Sequence, residues 1–192
     1  MKRLFFTIGI AILSVTSCGY RTANQGAQFV GGYKLVAVPI FKNRSMEPKV
    51  EVFFTNALRN ELHRANIAKV TDKEMAPISV EGVIDSVQYM KGSQSTGSGN
   101  DADGDALPVN AVITTQYQIR VVATLLVRRN ADSKILWEAR FTNDRSYLAP
   151  QIGTEVINSA NALYNHSARL QNIEIIARDM MTEAYNRMTE NF

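Results

Sequence analysis

The apolar residues of this chain recur with two different periods, and each period predicts a different kind of element. After Pro48, the positions Val50, Phe53, Phe54, Ala57, Leu58, Leu62 and Ala65 return every three or four residues, which gathers them on one face of a helix. Pro48 suits the first helical position, where no N–H is needed and φ is already set. A second helical pattern runs toward the C-terminus, with Leu163, Leu170, Ile173, Ala177, Met181, Ala184 and Met188 on one stripe. Methionines at that spacing are packing residues. Between the two, Ala111 to Arg128 alternates. Tyr117, Ile119, Val121, Ala123, Leu125 and Val127 share one parity, while Gln116, Gln118, Arg120, Thr124 and Arg128 dominate the other. That is a strand with one dry and one wet face.

The same period continues on either side. Lys134 to Phe141 places Ile135, Trp137, Ala139 and Phe141 inward, and the turn "RRNADSK" before it is too short for a crossover, so an antiparallel hairpin is predicted. Lys34 to Phe41 reads as a short buried strand whose Pro39 marks an end or an edge. Ile67 to Val70 reads as a brief strand. Ile78, Val80 and Ile84 alternate until the parity slips near Asp85, after which Val87 and Tyr89 take the other phase, as a bulge would cause. Two amphipathic helices and one half-wet sheet need each other. The predicted fold class is α+β: a two-layer sandwich with a roughly four-stranded mixed or antiparallel sheet and both helices on one face. The opposite face, with Gln116, Gln118, Arg120, Arg128 and Lys134, is left free, and function is expected there.

The N-terminus changes the picture. Met1-Lys2-Arg3 precedes the apolar run Leu4 to Val15, and small residues lead to Cys18, the one cysteine of the chain. A dozen apolar residues fall short of the ~20 that a spanning helix needs, so the run reads as a secretory signal. Val15-Thr16-Ser17-Cys18 resembles the bacterial lipobox. The resemblance implies removal of residues 1–17 and acylation of Cys18. Gly19, in place of the Asp that favours inner-membrane retention, points by the same resemblance to the outer membrane. The domain plan is then a leader at 1–17, a flexible tether at 18–33 and one α+β domain at 34–192, with a flexible Gly/Ser/Asp-rich connection at 92–110. Loss of Lys2 and Arg3 lowers the formal charge of +3 to +1, which removes the case for a general nucleic-acid footprint.

Catalytic chemistry finds no home in the sequence, and the expectation is that the chain is not an enzyme. His63 and His166 stand alone, no cluster has zinc-ligand spacing, and neither a G-x-S-x-G elbow nor a nucleotide-binding glycine loop occurs. Asp101-Ala102-Asp103-Gly104-Asp105 opens like a calcium loop, yet Ala106 and Val112 stand where such a loop requires Gly and a bidentate Glu. No metal and no cofactor are expected. Glu61 and Arg64 are spaced to pair, either as a functional buried pair or as a helix-end pair.

The block "YKLVAVPIFKNRSMEPKVEVFFTNALRNELHR" (Tyr33 to Arg64), taken with the lipobox, then "YQIRVVATLLV", "ILWEARF" and an amphipathic C-terminal helix, resembles the lipopolysaccharide-assembly lipoprotein family LptE. The resemblance implies an outer-membrane lipoprotein with two helices on a four-stranded sheet. It implies a plug inside the large β-barrel LptD, a partnership that inserts lipopolysaccharide into the outer leaflet, and direct binding of that lipid. Phosphates of lipid A call for cations, and the candidates are Arg120, Arg128, Arg129, Lys134 and Arg140. In some family members the connection before the "YQ" strand carries a basic residue implicated in substrate contact. Here it holds no cation after Lys91 and carries Asp101, Asp103 and Asp105 instead. The competing expectation is a subunit of an oligomeric CsgG-like secretion-pore lipoprotein, which would need strands with an apolar, lipid-facing parity.

Overall fold

A computed structural model describes residues 28–96, 112–114, 116–148 and 162–190. The leader, the lipobox with Cys18, most of the expected tether and residues 97–111 lie outside the described residues.

The sheet is built on three long strands: β4 (Ile78–Lys91), β7 (Gln116–Arg129) and β8 (Ile135–Leu148). They form a meander of antiparallel pairs, Ile78 opposite Arg129 and Gln116 opposite Leu148. Against the free edge of β4 lie β1 (Leu35–Ala37) and, further along, β2 (Lys42–Asn43), both parallel to it. Beyond β1 comes β3 (Lys69–Val70), also parallel. The strand order is β3-β1-β4-β7-β8, with β2 on β4. The mixed α+β sandwich is as expected; the sheet has six strands, because β2 and β3 contribute two residues each. A separate pair, β5 (Gln94–Thr96) with β6 (Val112–Thr114), brackets the connection expected to be loose from residue 92 onward.

Pro39 explains why the first strand breaks. Without an N–H it cannot continue a ladder, and the Val38 carbonyl beside it accepts instead from Arg59, at 3.1 Å from Nε and 2.5 Å from Nη2. The Phe41 N–H donates to Thr55 Oγ1 at 3.0 Å, so the interrupted segment is stitched to the helix above it. The expected bulge is present: the β4–β7 register shifts between Ile84 and Ser86. It turns Asp85 out to accept from the Thr124 hydroxyl at 2.7 Å.

Helix α1 (Val50–Ala65) and helix α2 (Ala162–Thr189) pack side by side over one face of the sheet. Val50, Phe54, Leu58 and Leu62 of α1 are fully buried, as are Ile173, Ile176, Ala177, Met180, Met181 and Ala184 of α2. They meet Ile119, Val121, Ala123, Leu125 and Val127, the dry parity read from the sequence. α1 begins two residues after Pro48, since Lys49 adopts a left-handed conformation (φ 67°) that turns the chain before the first helical residue. It ends on Asn66, also left-handed, whose N–H donates to the Leu62 carbonyl. Glu61 and Arg64 do pair, at 2.5 Å, with Arg64 largely exposed: a helix-end pair.

Order in the chain reaches back beyond Tyr33. Phe29 is buried in the main core, and Val30 to Gly32 form a turn of 3₁₀-helix packed near the start of β8.

Candidate binding face

Because β7 alternates, its even-numbered residues point away from the helices, and the register fixes their neighbours. Arg120 stands between Gln88 of β4 and Asp144 of β8, and Thr124 between Val83 and Arg140. Leu126 lies between Glu81 and Glu138. Val122 and Leu126 are half-buried among these polar neighbours.

The charges on this face are cross-linked. Arg120 grips Asp144 with two parallel bonds of 2.8 Å, Nε to Oδ1 and Nη2 to Oδ2. Those hydrogen bonds hold the Asp144 carboxyl below its ordinary value and raise Arg120 above its own. Arg128 Nε lies 3.4 Å from Glu81, and its Nη1 donates to the Ser133 carbonyl at 3.0 Å. Arg44 lies 3.9 Å from Asp85.

The five cations expected to contact lipid phosphate do not form one patch. Arg120, Arg128 and Arg140 share the open face. Arg129 has the parity of the helix-covered side, opposite Ile78 at the strand end, where it binds Asp132 at 3.1 Å and buries its Nε. Lys134 lies in the turn that follows, exposed to solvent. Among the described residues Lys134 and Arg140 carry no side-chain ion pair, whereas the other three are engaged with carboxylates.

A second polar cluster escaped the sequence reading. The Glu47 carboxylate is only 5 % exposed. It accepts a short hydrogen bond from the Tyr89 hydroxyl of β4 and lies 3.6 Å from Arg169 of α2. The Arg169 guanidinium stacks over the Tyr89 ring at 5.3 Å, and Tyr117 and Tyr147 stack on each other at 5.8 Å. His166, exposed, contacts Arg169 through Nδ1 at 3.0 Å. The one clue in the sequence was an acid directly before a proline in an otherwise basic stretch.

Burial pushes the phenols of Tyr89, Tyr147 and Tyr185 up, and at Tyr89 the Glu47 carboxylate pushes the same way. The folded state thus keeps protons that the unfolded chain releases near pH 10. Stability from this source is whole below about pH 10 and falls as the pH rises beyond it. An alkaline titration followed by tyrosinate absorbance should show a late-ionising fraction that normalises on unfolding. Tyrosines that all titrate near 10 in the folded protein would contradict the packing around Tyr89.

No group of three or more His, Cys, Asp or Glu side chains among the described residues could hold a metal ion. What the fold defines is a small α+β domain with helices on one side and an open, ion-paired polar face on the other, an arrangement suited to contact. The chain belongs to the LptE lipopolysaccharide-assembly family, whose sequence model matches residues 33–188. That makes it one of the lipopolysaccharide-assembly lipoproteins of the cell envelope, a family that is not enzymatic. No curated protein matches the sequence. Similar solved structures include the PelC dodecamer from Paraburkholderia phytofirmans, at 11 % identity and TM-score 0.47, covering 87 % of this chain and 95 % of that one. A minor lipoprotein from Acinetobacter baumannii is similar at 12 % identity and TM-score 0.45, covering 82 % and 93 %. Rare lipoprotein B from Shewanella oneidensis follows at 13 % identity and TM-score 0.38, covering 80 % and 89 %. None of these likenesses bears on function.

Proposed function

We propose that this chain is an outer-membrane lipoprotein, anchored through an acylated Cys18, that plugs an LptD-type β-barrel, helps it assemble and assists lipopolysaccharide insertion into the outer leaflet. The observation that carries the reading is the open sheet face. The lumen of a large barrel is polar, and a wedge that fills it needs a rigid surface whose charges are satisfied when water is displaced. The Arg120–Asp144 and Arg128–Glu81 pairs meet that requirement. A lipid-facing pore strand would need an apolar outer parity instead, and Arg120, Thr124 and Arg128 are the reverse of it.

Within this reading, all five cations remain candidate phosphate contacts, and their availability differs. Arg120, Arg128 and Arg129 must exchange a carboxylate for a phosphate. Lys134 and Arg140 need no exchange. Reversing these two together (Lys134→Glu, Arg140→Glu) should weaken capture of lipopolysaccharide by the purified protein about tenfold, while Arg120→Gln changes it little. Equal losses from both variants would refute the ranking. For the role itself, depletion of the chain in its host should lower the amount of correctly assembled barrel and the lipopolysaccharide accessible to surface labelling. Unchanged surface lipopolysaccharide after depletion would contradict it.

A further inference from the structure

The loop between β2 and α1 holds a shape that its own composition does not require. Asn43 accepts from both the N–H and the hydroxyl of Ser45, at 2.9 and 2.7 Å, and donates to the Glu47 carbonyl at 2.7 Å and to Glu51 at 2.9 Å. The Glu47 N–H donates to Ser45 Oγ at 3.2 Å. The Glu47 side chain then dives beneath the loop to Tyr89 and Arg169, which ties it to the sheet and to α2 at once. Lys49 completes the turn in a left-handed conformation that a residue with a Cβ adopts at a cost. Burying a carboxylate and straining a lysine are unfavourable, and a connection that merely spans two elements needs neither.

What this scaffold displays is Met46, 99 % exposed at the crest of the loop. Ile40, just before β2, is 66 % exposed. Lys42, Arg44 and Lys49, all exposed, surround Met46 in the sequence, and the one acid between them, Glu47, is turned inward. An apolar tip with a basic surround, fixed before any partner arrives, matches a shape-specific recess; a fluid lipid surface asks for no such fixity. Preorganisation of this kind reduces the ordering cost of association, and an exposed side chain that fills a pocket is the usual anchor of a protein interface.

We infer that the loop Asn43–Lys49 is a docking finger that inserts Met46 into an apolar, acid-rimmed recess on the protein partner of this chain. The inference rests on the barrel-plug reading and specifies the contact: the recess belongs to the barrel protein. The finger adjoins the open sheet face, where its Arg44 lies 3.9 Å from Asp85, and Met46 gives the partner a second point of contact beyond that face.

The test places a photo-crosslinking benzoylphenylalanine at position 46 of the full-length lipoprotein in its native outer membrane, and in parallel at Gln88 on the open sheet face. The expected result is an adduct from position 46 with the same large barrel that copurifies with the unmodified protein. Met46→Asp should then reduce barrel recovery about tenfold, whereas Met46→Leu retains it. Met75→Asp, at a methionine 69 % exposed in the turn before β4, should also leave recovery intact. Unchanged thermal unfolding of the Met46 variants separates docking from folding. An adduct of position 46 with lipopolysaccharide or phospholipid would overturn the inference in favour of a membrane contact. An adduct from Gln88 with none from position 46 would overturn it and leave the plug reading standing. Adducts from neither position would bring down both.

Discussion

Replacing Gly82 by alanine should destabilise the domain by about 2–3 kcal/mol, lowering its melting temperature by roughly 5–10 °C. Gly82 lies on β4 opposite Leu125, on the side of the sheet that the helices cover. A Cβ built there falls 2.3 Å from two ring carbons of Phe41 and 2.6 Å from a third. Phe41 cannot simply step back. It is buried in the core, and its N–H is bonded to Thr55 Oγ1, which itself donates to the Glu51 carbonyl at 2.6 Å. The glycine is therefore required by a close approach of side chain to backbone, its own φ being ordinary. Phe41→Leu alone should cost about 1 kcal/mol, and the pair should cost less than the sum of the singles. Denaturant unfolding of the four proteins in the cycle measures this. If alanine at 82 is tolerated with the phenylalanine in place, the packing of the segment before β2 on β4 is wrong.

The second large effect is expected at Arg169. Arg169→Ala leaves the Glu47 carboxylate buried with the Tyr89 hydroxyl as its remaining close partner, among the described residues. Stranding a buried charge costs several kcal/mol when both partners are dry. Arg169 is about one-third exposed, so water screens part of the interaction and about 2 kcal/mol is the reasonable expectation. The identity of the cause is readable in a double variant. With Glu47→Gln in the background, Arg169→Ala should lose most of its effect, because the side chain left behind no longer carries a charge. A Glu47→Gln background in which Arg169→Ala costs just as much would reduce the arginine to a packing residue and leave the carboxylate without a cationic partner.

Neither cause was visible in the sequence, although much of the fold around both was. The helices were legible because their stripes, Val50 to Ala65 and Leu170 to Met188, repeat over several turns. The bulge was legible because one slip of parity at Asp85 moves every later residue of β4 to the other face. The open face followed from β7 alone. β1 and β2 were not separable from one another, since Val38 to Phe41 is as apolar as the strand before it and only Pro39 marks the gap. Tertiary pairing hid the rest. Nothing local says that Glu47 turns inward to meet Tyr89 and Arg169, residues 42 and 122 positions away. Likewise, Arg129 was expected among the strand and turn cations that contact lipid phosphate; one residue of strand geometry beyond Arg128 gives it the parity of the helix-covered side. The ion pairs of Arg120 and Arg128 depend on register across three strands, which a periodicity does not contain.

The lipid anchor and the barrel contact together form the centre of this account, and native mass spectrometry of the complex extracted from outer membranes in mild detergent tests them in one experiment. The predicted species contains one copy of this chain and one large barrel protein, with the chain beginning at Cys18 and carrying the mass of its acyl groups. A ring of identical copies of this chain, or a chain that retains residues 1–17 and an unmodified thiol, would contradict it.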